Sequence, residues 1–383
     1  MFIDIDCAQQ KKYNQNAYGD CFLSKRTQGR LIAVLSDGLG SGIKANILSC
    51  MTAAMLLKFL EAGSNIQKAC EIIMNSLPVC QVRKISYSTF SAIDCSSDGT
   101  ARIVEEGNPQ FIRIRNGEVL EPECKIIAST TFPDRCMRIY NIKLEPGDRL
   151  IFCSDGVTQS GLGVLKLGLR REGLIDLIMN KLKTKPDISS RSLSKYIVRC
   201  AQYTEADKKA KDDISAVSIY CREPRESLIF TGPPFHAEND KIYADLFKNF
   251  SGKKAICGGA TANILSRELN IPIENQIPLS SDNLPFVSQM EGVNLVTEGI
   301  LTLTRACEYL DAPEPVINDN AAGQLVKFFL ESDCINFMVG AKLNQAHYDP
   351  GLPVEIEIRK NIIKKISKLL EEKYIKKVTV QYI

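Results

Sequence analysis

The stretch LIAVLSDGLGSG, residues 31–42, ends an apolar run with an aspartate and three spaced glycines. The apolar residues predict a buried strand, and Asp37 lies at its end. Three closely spaced glycines let the backbone pass near another group and leave its carbonyls and amides accessible, directly before a helix predicted over residues 42–60. The stretch lacks the Gly-Lys-Ser/Thr ending of a P-loop, and no strand-helix-strand unit follows it, so it predicts neither of the common nucleotide motifs.

A second strand, predicted over Cys21–Leu23, precedes this stretch and forms a hairpin with it. A two-residue loop at Gln28-Gly29 would place Asp20 opposite Asp37. Paired aspartates repel each other and destabilise a sheet. They persist side by side when one of them is protonated or when a cation lies between them. Acids are also common in turns, but the register favours a cation site.

Two more acidic positions lie at strand ends farther along the chain. Asp155-Gly156 follows the predicted strand Arg149–Cys153, and Asp212-Asp213 precedes the predicted strand Ile214–Tyr220. A single Asp-Gly is typical of an ordinary turn, but the four positions occur together in a region without histidine, since the first histidine is His236. An all-oxygen ligand set selects hard cations such as Mg²⁺ or Mn²⁺. Two such ions that share a carboxylate activate water and hold a phosphoryl group.

The ordered set of motifs is what identifies a family. Gly19-Asp20, the stretch 36–42, Ser154-Asp155-Gly156 and the segment 212–215 follow one another along the chain. Together they resemble the metal-dependent type-2C protein serine/threonine phosphatases, and within these the branch of the stage II sporulation protein E. The resemblance covers residues 13–221, more than half of the chain.

The resemblance implies a fold of the α+β class, a four-layer α-β-β-α sandwich of two antiparallel sheets. It implies two Mn²⁺ or Mg²⁺ ions, with Asp37 bridging both ions and the backbone carbonyl of Gly38 bound to one. The implied metal-binding positions are the strand-end acids and this glycine: Asp20, Asp37, Gly38, Asp155, Asp212 and Asp213. Four of them are also implied as catalytic residues: Asp20, Asp37, Asp155 and Asp212.

The same resemblance implies a bacterial enzyme of signal transduction, a protein serine/threonine phosphatase. Metal-activated water would attack the phosphorus of phosphoserine or phosphothreonine, and no phosphoenzyme would form. In the sporulation branch the usual substrates are small phosphorylated anti-sigma-factor antagonists, so the implied partner is a phosphorylated protein of this kind. Two alternatives stay open. One is a catalytically weak signalling module of the same fold that binds partners, and the other is a hydrolase of small-molecule phosphate esters.

The two parts of the chain have different patterns. Residues 1–222 have strands in runs and helices in pairs, which indicates α+β packing, and they form the predicted phosphatase domain. The charged segment 222–226 contains a proline and is typical of a linker. Residues 227–383 alternate strands and helices, which predicts a second α/β domain with a mostly parallel sheet and a regulatory or ligand-binding role.

A glycine turn in the second domain, Gly258–Asn263, runs from a predicted strand into a helix. Its amides and hydroxyl are suited to an anion, and Thr297–Gly299 ends the next strand at the same edge of the predicted sheet. An ordinary tight turn with Thr261 as a helix cap explains the sequence equally well. The ligand of this domain is therefore unknown.

The overall composition narrows the partners and the location. A net charge of +3 gives no general reason to expect nucleic acid. The longest stretch without an ionisable residue runs from Ala45 to Leu57, which is shorter than the roughly 20 residues that a bilayer helix needs, so no membrane span and no membrane partner are predicted. Residues 1–6 carry acids where a signal peptide carries Lys or Arg, which predicts a cytoplasmic protein.

Overall fold

The computed structural model describes residues 1–383 apart from residue 28 and the segments 77–87, 130–134, 276–286 and 341–352. The chain divides into two compact units, unit 1 (Met1–Glu223) and unit 2 (Pro224–Ile383). The segment expected to be a linker is short: the last strand of unit 1 ends at Arg222 and the first strand of unit 2 begins at Glu226, so residues 223–225 lie outside the strands.

Unit 1 combines helices with two antiparallel sheets. Its strands are β1 (Phe2–Gln10), β2 (Asp20–Thr27), β3 (Arg30–Gly38), β4 (Ser88–Ser96), β5 (Thr100–Glu106), β6 (Ile112–Arg115), β7 (Glu118–Leu120), β8 (Lys125–Ala128), β9 (Cys136–Lys143), β10 (Arg149–Cys153) and β11 (Ile214–Arg222). Its helices are α1 (Ile43–Glu61), α2 (Ile66–Ser76), α3 (Asp155–Thr158), α4 (Arg170–Thr184) and α5 (Ser190–Thr204).

The strands of unit 1 form a five-stranded sheet in the order β1-β11-β10-β6-β7 and a six-stranded sheet in the order β2-β3-β4-β5-β9-β8. Helices α4 and α5 bury apolar residues on the first sheet, and α1 and α2 do so on the second. Phe111 joins the two sheets, because its ring lies 4.9 Å from that of Tyr140 in β9 and 5.4 Å from that of Phe152 in β10. The fold is therefore mixed α/β with antiparallel sheets.

Strand β1 is an element that the sequence analysis misses. Its acids, Asp4 and Asp6, argue against a strand that pairs along its whole length, yet β1 pairs with β11 from end to end. Helix α5 compensates for them. Asp4 accepts a hydrogen bond from the amide of Ser190 at 3.0 Å, and Asp6 accepts one from the hydroxyl of Ser194 at 3.0 Å. The two acids thus fix α5 on the sheet.

Helix α1 packs on the six-stranded sheet through one face. Its buried residues recur every three or four positions, as expected for one face of a helix: Ala45, Ser49, Thr52, Ala53, Leu56 and Leu60. Among the described residues it is the one helix long and apolar enough, by length and composition only, to cross a membrane. The sequence predicts no such segment because Lys44 and Lys58 limit the stretch without ionisable residues to Ala45–Leu57. Both lysines lie near the helix ends, where long side chains can reach a polar surface.

Unit 2 has a single described sheet with helices against it. Its strands are β12 (Glu226–Thr231), β13 (Lys253–Cys257), β14 (Ile273–Asn275), β15 (Val287–Met290), β16 (Leu295–Thr297), β17 (Cys334–Val339) and β18 (Lys377–Tyr382). Its helices are α6 (Asp240–Asn249), α7 (Gly259–Leu269), α8 (Ile300–Asp311), α9 (Ala321–Glu331) and α10 (Pro353–Glu372).

The sheet order in unit 2 is β14-β15-β16-β13-β12-β17-β18. The five strands from β16 to β18 in this order are parallel, and only the β14–β15 and β15–β16 pairs are antiparallel. Successive residues of β12 point to opposite faces: Ile229 packs with α8, α9 and α10, whereas Leu228 and Phe230 pack with α6 and α7. Both faces of the sheet are therefore covered by helices, as is usual for parallel strands.

Candidate metal centre

The hairpin of β2 and β3 pairs Asp20 directly with Asp37, which confirms the predicted register. Gln28 of the predicted loop lies outside the described residues. The two carboxyl groups lie close together, because each of them shifts the pKa of the other. Asp20 is 3% exposed, and its Oδ2 accepts a hydrogen bond from the hydroxyl of Ser215 at 2.5 Å. The pair of acids at the end of this hairpin is thus buried and close.

Two further predicted acids join this pair from the other sheet. Asp155 is the first residue of α3, two positions after the end of β10. Its carboxylate interacts with Asp37 and accepts a hydrogen bond from the amide group of Gln159 at 2.8 Å. Asp212 precedes β11 and interacts electrostatically with both Asp37 and Asp155. The structure therefore brings Asp20, Asp37, Asp155 and Asp212 together from the ends of β2, β3, β10 and β11, with Asp37 in contact with or near each of the others.

Asp213 has a different position from that expected of a metal ligand. Its Oδ2 accepts a hydrogen bond from the amide of Gly19 at 2.9 Å, and its Oδ1 accepts one from the amide of Lys12 at 3.1 Å. Its charge also raises the pKa values of Asp20 and Asp212, so Asp213 lies beside the cluster. Asp213 instead holds the backbone that leads into Asp20.

The glycines of the two Asp-Gly motifs permit close backbone contacts. A Cβ atom on Gly38 would lie 2.1 Å from the carbonyl oxygen of Ala45, at the start of α1. A Cβ atom on Gly156 would lie 2.1 Å from the carbonyl oxygen of Asp213. Backbone atoms cannot move aside as a flexible side chain can, so a larger residue at either position would displace the elements that carry the acids.

Burial and mutual repulsion dominate the electrostatics of the cluster. Burial, followed by the negative charges of Asp20, Asp155 and Asp212, raises the pKa of Asp37 to about 10. Burial also raises the pKa of Asp20 to about 7, although the hydrogen bond from Ser215 opposes the shift. The pKa values of Asp155 and Asp212 are raised as well, mainly by burial. Without a cation, the cluster retains protons at neutral pH.

Basic side chains do little to neutralise these acids. Lys12 is the cation whose charge acts on Asp212. The basic residues of the hairpin itself have partners elsewhere: Lys25 forms an ion pair with Glu61, Arg26 donates to the carbonyl of Ile3 at 2.6 Å, and Arg30 forms an ion pair with Asp94 at 2.6 Å.

The chemistry of the donor set fits hard divalent cations. The donors are carboxylate oxygens, and two positive charges would offset the repulsion that raises their pKa values. Within the described residues, however, no three Asp, Glu, His or Cys side chains are arranged so that they hold an ion by themselves. An ion here would take part of its shell from backbone carbonyls and water, as the resemblance implies.

Serine hydroxyls around the acids are functional candidates that the sequence analysis does not assign. Ser215 bonds Asp20, and Ser154 also reaches the Asp20 carboxylate. Ser88 donates to the carbonyl of Asp37 at 3.0 Å and pairs with Ser36 at 2.6 Å. The available signal is the serine that precedes Asp37-Gly38 and Asp155-Gly156, at positions 36 and 154, and Ser97 precedes Asp98-Gly99 in the same way. These hydroxyls orient the acids and satisfy buried oxygens.

Comparison with known sequences gives the family. The family model described as Stage II sporulation protein E (SpoIIE) matches residues 27–222. The stage II sporulation protein E of Bacillus subtilis (strain 168) is 30% identical to this chain over 128 residues. The aligned part covers 33% of this chain and only 15% of that relative.

Solved structures are also similar. The PP2C phosphatase domain of SpoIIE from Bacillus subtilis, with a fragment of its regulatory domain, is 20% identical at a TM-score of 0.48; the match covers 58% of this chain and 62% of that one. The phosphatase domain of the same protein in a crystal form without domain swapping is 19% identical at a TM-score of 0.44, over 57% and 92% of the two chains. The family model spans just over half of the sequence and includes three of the four acidic positions, Asp37, Asp155 and Asp212. The resemblance is therefore confirmed: this chain belongs to the stage II sporulation protein E family.

Proposed function

We propose that unit 1 is a Mn²⁺- or Mg²⁺-dependent protein serine/threonine phosphatase. The observation that carries this proposal is the meeting of four buried carboxyl groups, Asp20, Asp37, Asp155 and Asp212, with little basic compensation. If these acids had only a structural role, their burial so close together would destabilise the folded protein and bring no compensating gain. In this proposal the two sheets and their helices are the four layers of an α-β-β-α sandwich, with the cluster at one end.

The residues of the chain have distinct roles in this proposal. Two bound cations would supply an activated water molecule and positive charge for the phosphoryl group. Asp37 is the central ligand, because it alone interacts with the three other acids, and the carbonyl of Gly38 is a further ligand. Ser215 holds Asp20, and Gln159 holds Asp155. Asp213 positions Asp20 through the amide of Gly19.

We propose a phosphoserine- or phosphothreonine-containing protein as the substrate, with a small anti-sigma-factor antagonist as the first candidate. Membership of the SpoIIE family supports this choice. The cytoplasm is the corresponding location. Phosphopeptides compared with nucleotides and sugar phosphates would separate this activity from that of a small-molecule phosphatase.

A partner-dependent signalling module is the second candidate. Two observations favour it. No three side chains of the described cluster converge on one ion position. In addition, Ile43, Ile47 and Met51 of α1 are each at least half exposed and lie one turn apart on one face, directly after the Asp37 loop. A partner that covers this face would shift α1 relative to Gly38, and weak Mn²⁺ binding without a partner would support this candidate.

The test is hydrolysis of a phosphopeptide by the full chain with Mn²⁺, with Mg²⁺ and with EDTA. Asp37→Asn keeps the volume of the side chain and removes the charge, so we expect the rate to fall on the order of 10³-fold or more. Asp6→Asn is the matched control, since Asp6 is a partly buried acid of unit 1 that bonds Ser194 instead of the cluster. Full activity of Asp37→Asn, or activity in EDTA, would overturn the proposal.

A further inference from the structure

The carboxyl edge of the parallel sheet in unit 2 is lined with glycine. Strands β12, β13 and β17 are each followed at once by a glycine, and β16 is followed by one after Glu298. The backbones there are closely packed: a Cβ atom on Gly299 would lie 3.5 Å from the Cα atom of Gly258, and one on Gly340 would lie 2.2 Å from the carbonyl of Gly232. Ligands of open parallel sheets bind at this edge.

Two helices begin side by side at this edge. Helix α7 starts after Gly258 and helix α8 after Gly299, and neither glycine offers a side chain to cap the helix. The first intrahelical bonds run from the amide of Ala262 to Gly258 and from the amide of Leu303 to Gly299. Within the described part of the chain, the amides of residues 259–261 and 300–302 have no acceptor. Six N–H donors and the positive ends of two helix dipoles therefore lie together at this edge of the sheet.

Buried hydroxyls provide a second, independent observation. Thr261 and Thr302 hold the third position of α7 and α8, and Thr231 is the last residue of β12. Their side chains are 1%, 0% and 0% exposed, and no described residue bonds their hydroxyl oxygens. The Oγ1 atom of Thr261 lies 3.2 Å from the Cβ position of Gly258, so it points back at the glycine turn. Thr261 is therefore not the helix cap that the sequence allows.

Charge and exposed groups around the edge indicate the class of ligand. The guanidinium of Arg359, from α10, lies close to Gly232, because a Cβ atom on Gly232 would be 2.6 Å from it. Gly232 in turn lies near Gly258, because a Cβ atom on Gly258 would be 4.0 Å from the amide nitrogen of Gly232. Phe235, 56% exposed, follows β12 at the same edge, and the exposed Glu298 follows β16. These groups match the parts of a nucleotide or a sugar phosphate. The backbone amides suit the phosphate, Glu298 can accept from sugar hydroxyl groups, and the exposed ring of Phe235 suits a base.

We propose that unit 2 binds the phosphate group of a small phosphate ester at the start of α7 and α8. The buried hydroxyls of Thr261 and Thr302 complete the phosphate site, Glu298 accepts from sugar hydroxyl groups, and Phe235 contacts the base where the ligand has one. This site is separate from the acidic cluster of unit 1 and does not depend on the phosphatase proposal.

The test uses titration calorimetry on the full chain in EDTA, so that cations at the acidic cluster do not bind phosphate. The probes are inorganic phosphate, ribose 5-phosphate and ADP, and we expect dissociation constants in the range of about 0.01–1 mM. Ala260→Asp adds a negative charge at the exposed second position of α7, where acids favour helix formation, so it should weaken binding about tenfold or more without unfolding the protein. Gln67→Asp, at the second position of α2, is the matched control and should leave binding unchanged.

Thr261→Val gives a second readout that a purely structural threonine would not give. Removal of an unpaired buried hydroxyl should raise the melting temperature of the ligand-free protein and at the same time weaken binding of the probe several-fold. Tighter binding of ADP than of the other two probes would identify a nucleotide as the ligand class, and equal binding of ribose 5-phosphate and ADP would identify the sugar phosphate. Failure of all three probes to bind at 10 mM (about −2.7 kcal/mol), or equal affinity of Ala260→Asp and the wild type, would overturn the proposal.

Discussion

The two units present opposite charges at the ends of their strands. In unit 1, strand ends carry the side-chain acids Asp20, Asp37, Asp155 and Asp212, whose pKa values are raised by burial. In unit 2, strand ends carry glycines, and the free groups are backbone amides at the start of α7 and α8. An acidic cluster changes its charge with pH and can bind cations, whereas the partial positive charge of helix amides does not change with pH. The comparison therefore predicts that metal and pH act on unit 1 and leave unit 2 unchanged.

The largest expected difference concerns glycine. Gly156→Ala in unit 1 would bring a Cβ atom to 2.1 Å from the carbonyl of Asp213, so we expect it to destabilise the protein by about 3 kcal/mol. Gly259→Ala in unit 2 meets no atom within 4 Å and has no positive φ, so we expect a change of at most about 1 kcal/mol, in the stabilising direction. Urea unfolding measures both variants. If the two variants changed the free energy of unfolding equally, the backbone around residue 156 would be able to move away from the new Cβ atom without loss of stability.

The next difference concerns pH in the absence of metal. The folded pKa of Asp37, about 10, lies above the unfolded value near 3.9, so its contribution is complete below pH 4 and is lost progressively as pH rises toward 10. In EDTA the melting temperature of the wild type should therefore fall between pH 6 and pH 9 more steeply than that of Asp37→Asn. Addition of Mn²⁺ should reverse the fall in the wild type only. Parallel melting curves for the two proteins would contradict the raised pKa.

The smallest difference compares two buried serines of β11. Ser215 donates to Asp20, so Ser215→Ala should weaken Mn²⁺ binding by about 10- to 100-fold, and a higher Mn²⁺ concentration should restore activity. Ser218 is equally buried, and its hydroxyl has no partner among the described residues, so Ser218→Ala should leave Mn²⁺ affinity unchanged. Activity measured against Mn²⁺ concentration distinguishes the two. The same shift in both variants would mean that β11 as a whole, rather than the Ser215 contact, controls the site.

Much of the acidic cluster could be predicted from the sequence, because a short turn fixes the pairing register of β2 and β3. With a two-residue loop, each residue of β2 has one possible partner in β3, and the pairing of Asp20 with Asp37 follows. The position of the Asp213 side chain could not be predicted from the sequence, since either Asp212 or Asp213 could face the cluster. Only the contact of Asp213 with the amide of Gly19, which lies far away in sequence, decides between them.

Elements stabilised by distant contacts were also missed. Strand β1 carries acids whose partners, Ser190 and Ser194, lie on a helix near the end of unit 1. Strand β12 begins at Glu226, the last residue of the charged segment 222–226. The charges of that segment favour a linker, although the following residues of β12 are buried. In unit 2, the sequence indicates the glycine turn before α7 as a possible anion site, but an ordinary tight turn explains that sequence equally well. The structure adds the buried hydroxyls of Thr261 and Thr302, which have no partner among the described residues.

The pairing of β1 with β11 has a consequence for synthesis on the ribosome. The six-stranded sheet begins with sequential neighbours, β2 to β5, which can pair as they emerge. The five-stranded sheet cannot join its first strand to its last until residue 222 has left the exit tunnel. Asp155 and Asp212 flank strands of this late sheet, so the nascent protein has no complete set of acids, and a cation-binding centre can arise only after translation of unit 1 is finished.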